Sequence, residues 1–73
     1  MTQVEFLENF KDILQTDADI TFDMLLEDIE EWDSLAKLSC AAFFDTEFGM
    51  KVSFADFEAM KTVADLAKKA GII

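Results

Sequence analysis

Ser34 is the side chain whose setting best suits chemistry. In the string Trp32-Asp33-Ser34-Leu35, a hydroxyl follows an aspartate where an acidic segment gives way to an apolar stretch. That places the serine in the first turn of a helix, where free backbone N–H groups and the helix dipole stabilise a negative charge. A phosphodiester on this hydroxyl is the chemistry the position suits: attachment, not catalysis. The plainer role is also open, in which Ser34 only helps Asp33 cap the helix. The chain has no histidine, which removes Ser-His-Asp and Cys-His catalysis and most zinc sites. No pair of groups with acid and base roles can be named, so the expectation is a protein that is not an enzyme. Lys37 lies three residues after Ser34, on the same helical face. A cation in a first turn is mildly unfavourable; Lys37 either offsets this by pairing with a phosphate on Ser34 or is simply solvated.

The other oxygen-rich stretch is Asp17, Asp19, Thr21 and Asp23, which alternates ligand types as a calcium loop does. An EF-hand needs glycine at its sixth position and a bidentate glutamate at its twelfth; here those positions are Phe22 and Asp28. No metal is expected. Cys40 is the only cysteine, so no internal disulfide forms. It reads as a small buried hydrophobe, and single-cysteine usage fits a reducing, cytoplasmic setting. No basic segment followed by an apolar run marks the N-terminus, and no apolar run approaches a membrane span.

Sixteen acids face six lysines, for a net charge of −10. Nucleic-acid binding needs cations against phosphates, and an anionic membrane surface would repel this chain. The charge either confers solubility alone or steers partners with basic patches. Glu27, Asp28, Glu30, Glu31 and Asp33 concentrate it beside Ser34, as a solvated loop or as a partner-binding run. Trp32 either anchors that loop or projects to partners.

The elements that must position these residues are helical. There are 73 residues, 52% of them hydrophobic, with no proline and two glycines, which fits one domain (1–73) with a compact all-α core. Thr2-Gln3-Val4-Glu5 is a capping box, opening a helix with Phe6, Leu7, Phe10, Ile13 and Leu14 on one face and an end near Gln15. Residues 16–31 form a long acidic connection, anchored by Ile20, Phe22, Met24, Leu25, Leu26 and Ile29, with a helical turn expected around Phe22 to Leu26. Asp33 caps a second helix, Ser34 to Phe48, stopped by Gly49. It is apolar around much of its circumference, which predicts a central helix surrounded by others. Ser53–Asp56 and Thr62–Asp65 are two further boxes. The first opens a short helix to about Met60; the second opens a helix facing inward through Val63, Leu66, Ala67 and Ala70 and ending at Gly71. The expected fold is an all-α four-helix bundle: three longer helices, one short third helix, and a long loop between the first two.

Taken in this order and spacing, these pieces resemble the acyl carrier proteins, small helical carriers of phosphopantetheine. The likeness spans nearly the whole chain: the amphipathic first helix, the acidic loop, Asp33-Ser34-Leu35, Glu47-Phe48-Gly49, Val52, and Thr62-Val63-Ala64-Asp65-Leu66. It implies that a separate phosphopantetheinyl transferase, using coenzyme A and magnesium, attaches 4′-phosphopantetheine to Ser34. The arm's thiol then holds an acyl group as a thioester for partner enzymes of fatty-acid, lipid or polyketide-type biosynthesis. Asp33, Leu35 and Lys37 would flank the arm, and Glu27, Asp28, Glu30, Glu31 and Trp32 would meet basic acyl-loading and acyl-processing enzymes. Leu38, Phe43, Phe44, Phe54 and Phe57 would shape an acyl pocket between the second, third and fourth helices of a monomeric carrier. Two departures point to a specialised rather than a housekeeping fatty-acid member. Trp32 directly precedes Asp33, as in many specialised acyl carriers and in peptidyl carriers. Ala36 and Ser39, with Lys37 between them, stand where fatty-acid carriers place acids. The alternatives are an aminoacyl or peptidyl carrier and an unmodified acidic helical adaptor.

Overall fold

Three hydroxyl–carboxylate pairs and one aspartate set where the helices begin. The computed structural model describes residues 1–73 and holds four helices: α1 (Gln3–Leu14), α2 (Ser34–Phe48), α3 (Phe54–Ala59) and α4 (Val63–Ala70). At α1 the Glu5 N–H donates to Thr2 Oγ1 at 3.1 Å, and the Thr2 N–H donates to Glu5 Oε1 at 2.9 Å. The same reciprocal bonds join Ser53 with Asp56 at α3 and Thr62 with Asp65 at α4. Each satisfies two N–H groups that a helix start leaves without partners. At the other ends, Gly49 (φ +64°) and Gly71 (φ +81°) close α2 and α4 in the left-handed conformation that glycine adopts without steric cost. Gln15 does the same for α1 at φ 57°, so the expected end near Gln15 is where the helix stops.

The core is aromatic. Phe6, Phe10, Phe44, Phe57, Leu26 and Leu66 are all but fully buried, each contributing on the order of 1.5–3 kcal/mol by leaving water. Phe44 meets Phe57 edge-on at 5.8 Å between centroids, Phe48 at 5.5 Å and Phe6 at 6.4 Å. Such tilted pairs add about 0.5–1.5 kcal/mol beyond area. α4 is the most deeply set helix, with Val63, Leu66 and Ala67 wholly inaccessible.

Two expectations are corrected. α2 is not surrounded: its buried line is Ala36, Cys40 and Phe44, spaced by four, while Leu35 and Leu38 are 71% and 58% exposed. An apolar circumference alone does not say which face turns inward. The helical turn expected around Phe22 to Leu26 is split in two: a tight turn in which the Met24 N–H donates to the Thr21 carbonyl at 3.3 Å, and a single 3-10 turn at Leu26–Asp28. The reason lies across the molecule. The first N–H groups of α4 lack intrahelical partners, and the loop supplies them. Val63 N–H donates to the Met24 carbonyl at 3.0 Å and Ala64 N–H to the Phe22 carbonyl at 2.9 Å. Leu26 N–H in turn donates to the Lys61 carbonyl at 2.8 Å, and Leu25 and Thr62 form one antiparallel bridge. Those pairings direct the Phe22 and Met24 carbonyls to α4 and leave a turn at Thr21–Met24 and one bridge at Leu25 where a helix was expected. Ile20, Leu26 and Ile29 then bury, Phe22 and Met24 half-bury, and Leu25 stays exposed.

Candidate functional site

Ser34 is the first residue of α2 and is exposed. The cap belongs to Asp33 alone, whose Oδ1 accepts from the Ala36 N–H at 2.9 Å. The serine hydroxyl therefore takes no part in capping, and the N–H groups of Ser34 and Leu35 are left free beside it. This corner of the fold offers an accessible hydroxyl, two backbone donors and the positive end of a fifteen-residue helix. A phosphodiester on Ser34 fits that donor set.

Trp32 holds the corner in place. It is half-buried, with its ring 5.5 Å from Phe10 of α1 and 5.9 Å from Phe57 of α3, edge-on to both. Its N–H donates to the Ile29 carbonyl at 3.0 Å. The side chain directly before the Asp33-Ser34 pair is thus clamped between two helices, which fixes where α2 begins. Of the two roles open to Trp32, the anchor is the one its contacts describe.

Beside this corner lies an open cleft of about 760 Å³. Its apolar lining is Leu25, Leu26, Trp32, Phe57 and Met60, of which Leu26 and Phe57 are almost wholly buried behind it. Glu27, Lys37, Glu58 and Lys61 stand around it. Lys37, one turn along α2 from Ser34, belongs to both features. The single ion pair of the molecule is elsewhere, between Lys51 and Asp45 at 2.8 Å, so none of the four charges at the cleft is paired with another.

The structure brings together only part of the residue set drawn from the sequence. Asp33, Ser34, Trp32 and Lys37 gather at the start of α2, with Glu27 across the cleft; Asp28, Glu30 and Glu31 are exposed along the preceding loop. Leu35 is exposed on α2, next to the serine. Of the five proposed pocket residues, Phe43, Phe44 and Phe57 adjoin one another, at 6.1 Å and 5.8 Å between successive ring centroids. Phe57 lines the cleft. Phe44 is core, and Phe43 packs toward α1 at 6.0 Å from Phe6. Leu38 and Phe54 are 58% and 42% exposed. The cleft residues Met60, Glu58 and Lys61 carry no sequence signal that links them to Ser34; the Leu25–Thr62 bridge brings them there. No three acidic or cysteine side chains converge to hold a cation. In the Asp17–Asp28 stretch, Thr21 Oγ1 bonds to Asp23 Oδ1 instead. Cys40 is buried, and desolvation pushes its thiol up to about 12, so it is not a nucleophile.

Compared with protein-family models, curated proteins and solved structures, the chain matches none. What stands is a small four-helix, all-α domain whose size, helix order and long first loop are compatible with carrier-type folds. No helix is long and apolar enough to cross a membrane.

Proposed function

We propose that this chain is an acyl carrier, with Ser34 as the attachment point for 4′-phosphopantetheine. The observation that carries the reading is the exposed serine at the start of α2, relieved of capping by Asp33 and set beside an open cleft. In the attachment, Ser34 Oγ forms a bond to the phosphorus of the pantetheine phosphate of coenzyme A. The bond from that phosphorus to the adenosine bisphosphate breaks, and the hydroxyl proton passes to the transferase. The chain has no histidine to act as base, in keeping with a transferase that brings its own. When attached, the arm supplies a thiol that holds an acyl group as a thioester.

The chain's own residues then position and present. The free N–H groups of Ser34 and Leu35 and the Lys37 ammonium favour the phosphate. The acidic residues Glu27, Asp28, Glu30 and Glu31 steer basic partner enzymes toward that corner, and the exposed Leu35 gives them an apolar contact. The departures at Trp32, Ala36 and Lys37 favour a dedicated partner set over a general fatty-acid one.

Intact mass after incubation with a promiscuous phosphopantetheinyl transferase, magnesium and coenzyme A tests the reading. The parent is expected to gain one phosphopantetheine and Ser34→Ala none. No gain by the parent, with the transferase active on another carrier, removes it. The remaining reading is then an unmodified acidic adaptor, which the exposed Leu35 and Leu38 favour in their own right.

A further inference from the structure

Resting on the carrier reading, we propose that the cargo is a short acyl group bearing a polar substituent, an amino or hydroxyl group, held in the cleft beside Ser34 rather than an aliphatic chain sheltered in the core. Three observations converge. The interior where α2 meets α3 is already filled: Phe44 and Phe57 are fully buried and interlocked edge-on at 5.8 Å, with Trp32 closing against Phe57 at 5.9 Å. A long chain entering there must break these contacts in a close-packed interior. A shallower opening of about 390 Å³ lies further along α2, by Ala41, Asp45 and Ser53. The open space next to Trp32 and Lys37 is the cleft of about 760 Å³, and its lining mixes apolar and charged side chains. Its two carboxylates, Glu27 and Glu58, and its two ammonium groups, Lys37 and Lys61, make no ion pairs with one another.

Those four groups divide between arm and cargo. Lys37 is one turn from Ser34 and would pair with the arm's phosphate. Glu27, Glu58 and Lys61 lie further from the serine in sequence, on the loop and at the α3–α4 junction, and are free to meet the cargo. Two carboxylates accept from an ammonium or hydroxyl, and Lys61 donates to a hydroxyl or to the thioester carbonyl. The accessible apolar side chains of the lining, Leu25, Trp32 and Met60, give a carbon chain of a few atoms its contact. A plain aliphatic chain laid in this cleft would desolvate charges without pairing them. A short polar acyl group pairs them.

The test uses the full chain loaded by a promiscuous transferase from four coenzyme A thioesters: butyryl, β-hydroxybutyryl, β-aminobutyryl and octanoyl. Intact mass is read first. Failure of all four to load overturns the carrier reading itself, and the cargo inference with it. On loaded protein, two readouts follow: amide NMR shifts, and thioester hydrolysis relative to the same acyl group on free pantetheine. The expected result is that the two polar cargoes move the signals of Lys37, Glu58 and Lys61 and hydrolyse about threefold more slowly than butyryl, the scale of one exposed charge contact. Glu58→Gln and Lys61→Gln are expected to abolish that difference. Octanoyl is expected to leave Phe44, Phe57 and Leu66 unmoved. Two results on loaded protein overturn the inference alone: octanoyl shifting those core signals and gaining the greatest protection, or no cargo perturbing the cleft.

Discussion

At the scale of single residues, Trp32 and Ser34 divide one corner between them: one fixes it, the other presents a group. Trp32 pairs edge-on with rings from α1 and α3 and lines the cleft. Its neighbour Asp33 takes the cap, so the serine is both held in place and unemployed. Removing the indole opens a gap against Phe10 and Phe57. Full truncation of a buried tryptophan costs about 3–5 kcal/mol, and half-burial reduces that, so Trp32→Ala is expected to lose about 2 kcal/mol. Urea unfolding followed by far-UV circular dichroism checks it. The midpoint should fall with the slope unchanged, whereas a change within experimental error would mean that the ring packs against nothing that matters. The Asp33-Ser34-Leu35 corner was legible in the sequence because a cap and its helix start are neighbours in the chain. The aromatic clamp was not, since Phe10 and Phe57 lie far from Trp32 along it, and nothing local chooses between anchor and projection.

At the scale of elements, each helix start is a local device, whereas the acidic loop is a long-range one. Thr2–Glu5, Ser53–Asp56 and Thr62–Asp65 could be read in sequence because the reciprocal bonds of each box join residues three apart in the chain. The loop could not: its path is set by the free N–H groups of α4, which take the Phe22 and Met24 carbonyls, and by the Leu25–Thr62 bridge. α2 failed as a guide for a related reason. With apolar residues all round, its sequence does not distinguish the buried Ala36–Cys40–Phe44 line from the exposed Leu35 and Leu38. Asp65 joins the two scales, because its Oδ2 accepts from both the Lys61 and Thr62 N–H groups, at 2.9 and 3.1 Å, beside the Leu25 bridge. Those backbone donors hold its carboxyl below the ordinary value of 3.8. With the folded value depressed, the unfolded chain takes up the proton first as pH falls. The stabilisation by this charge is thus present above 3.8 and is lost as pH drops through the folded value. Asp65→Asn keeps an acceptor and removes the charge. It should be less stable than the parent at neutral pH, and the gap should close below the ordinary carboxylate range. Equilibrium unfolding of both proteins across that range decides it; a gap that persists into acid would assign the effect to geometry rather than charge.

For the whole molecule, the balance of 16 acids against six lysines meets a body only 28 × 25 × 19 Å across. One exposed ion pair, Lys51–Asp45, contributes about 0–1 kcal/mol and cannot offset repulsion summed over ten net charges. At about 0.01 M salt the screening length is roughly 30 Å, so every acid feels every other. At about 0.15 M it is roughly 8 Å, and only neighbours interact. The unfolded chain is more expanded and carries less of this repulsion, so screening favours the folded state. Raising sodium chloride between these concentrations is expected to increase Tm by several degrees, since about 1 kcal/mol corresponds to roughly 4–8 °C for a domain of this size. The same screening weakens attraction to a basic partner, so the association rate with a phosphopantetheinyl transferase should fall over the same interval. The two trends have opposite signs and one cause. Calorimetry and stopped-flow binding along a single salt series separate them: a Tm that is flat or falls with salt would mean that the acids are held apart well enough for repulsion not to limit the fold, and an association rate indifferent to salt would deny the acidic loop its steering role.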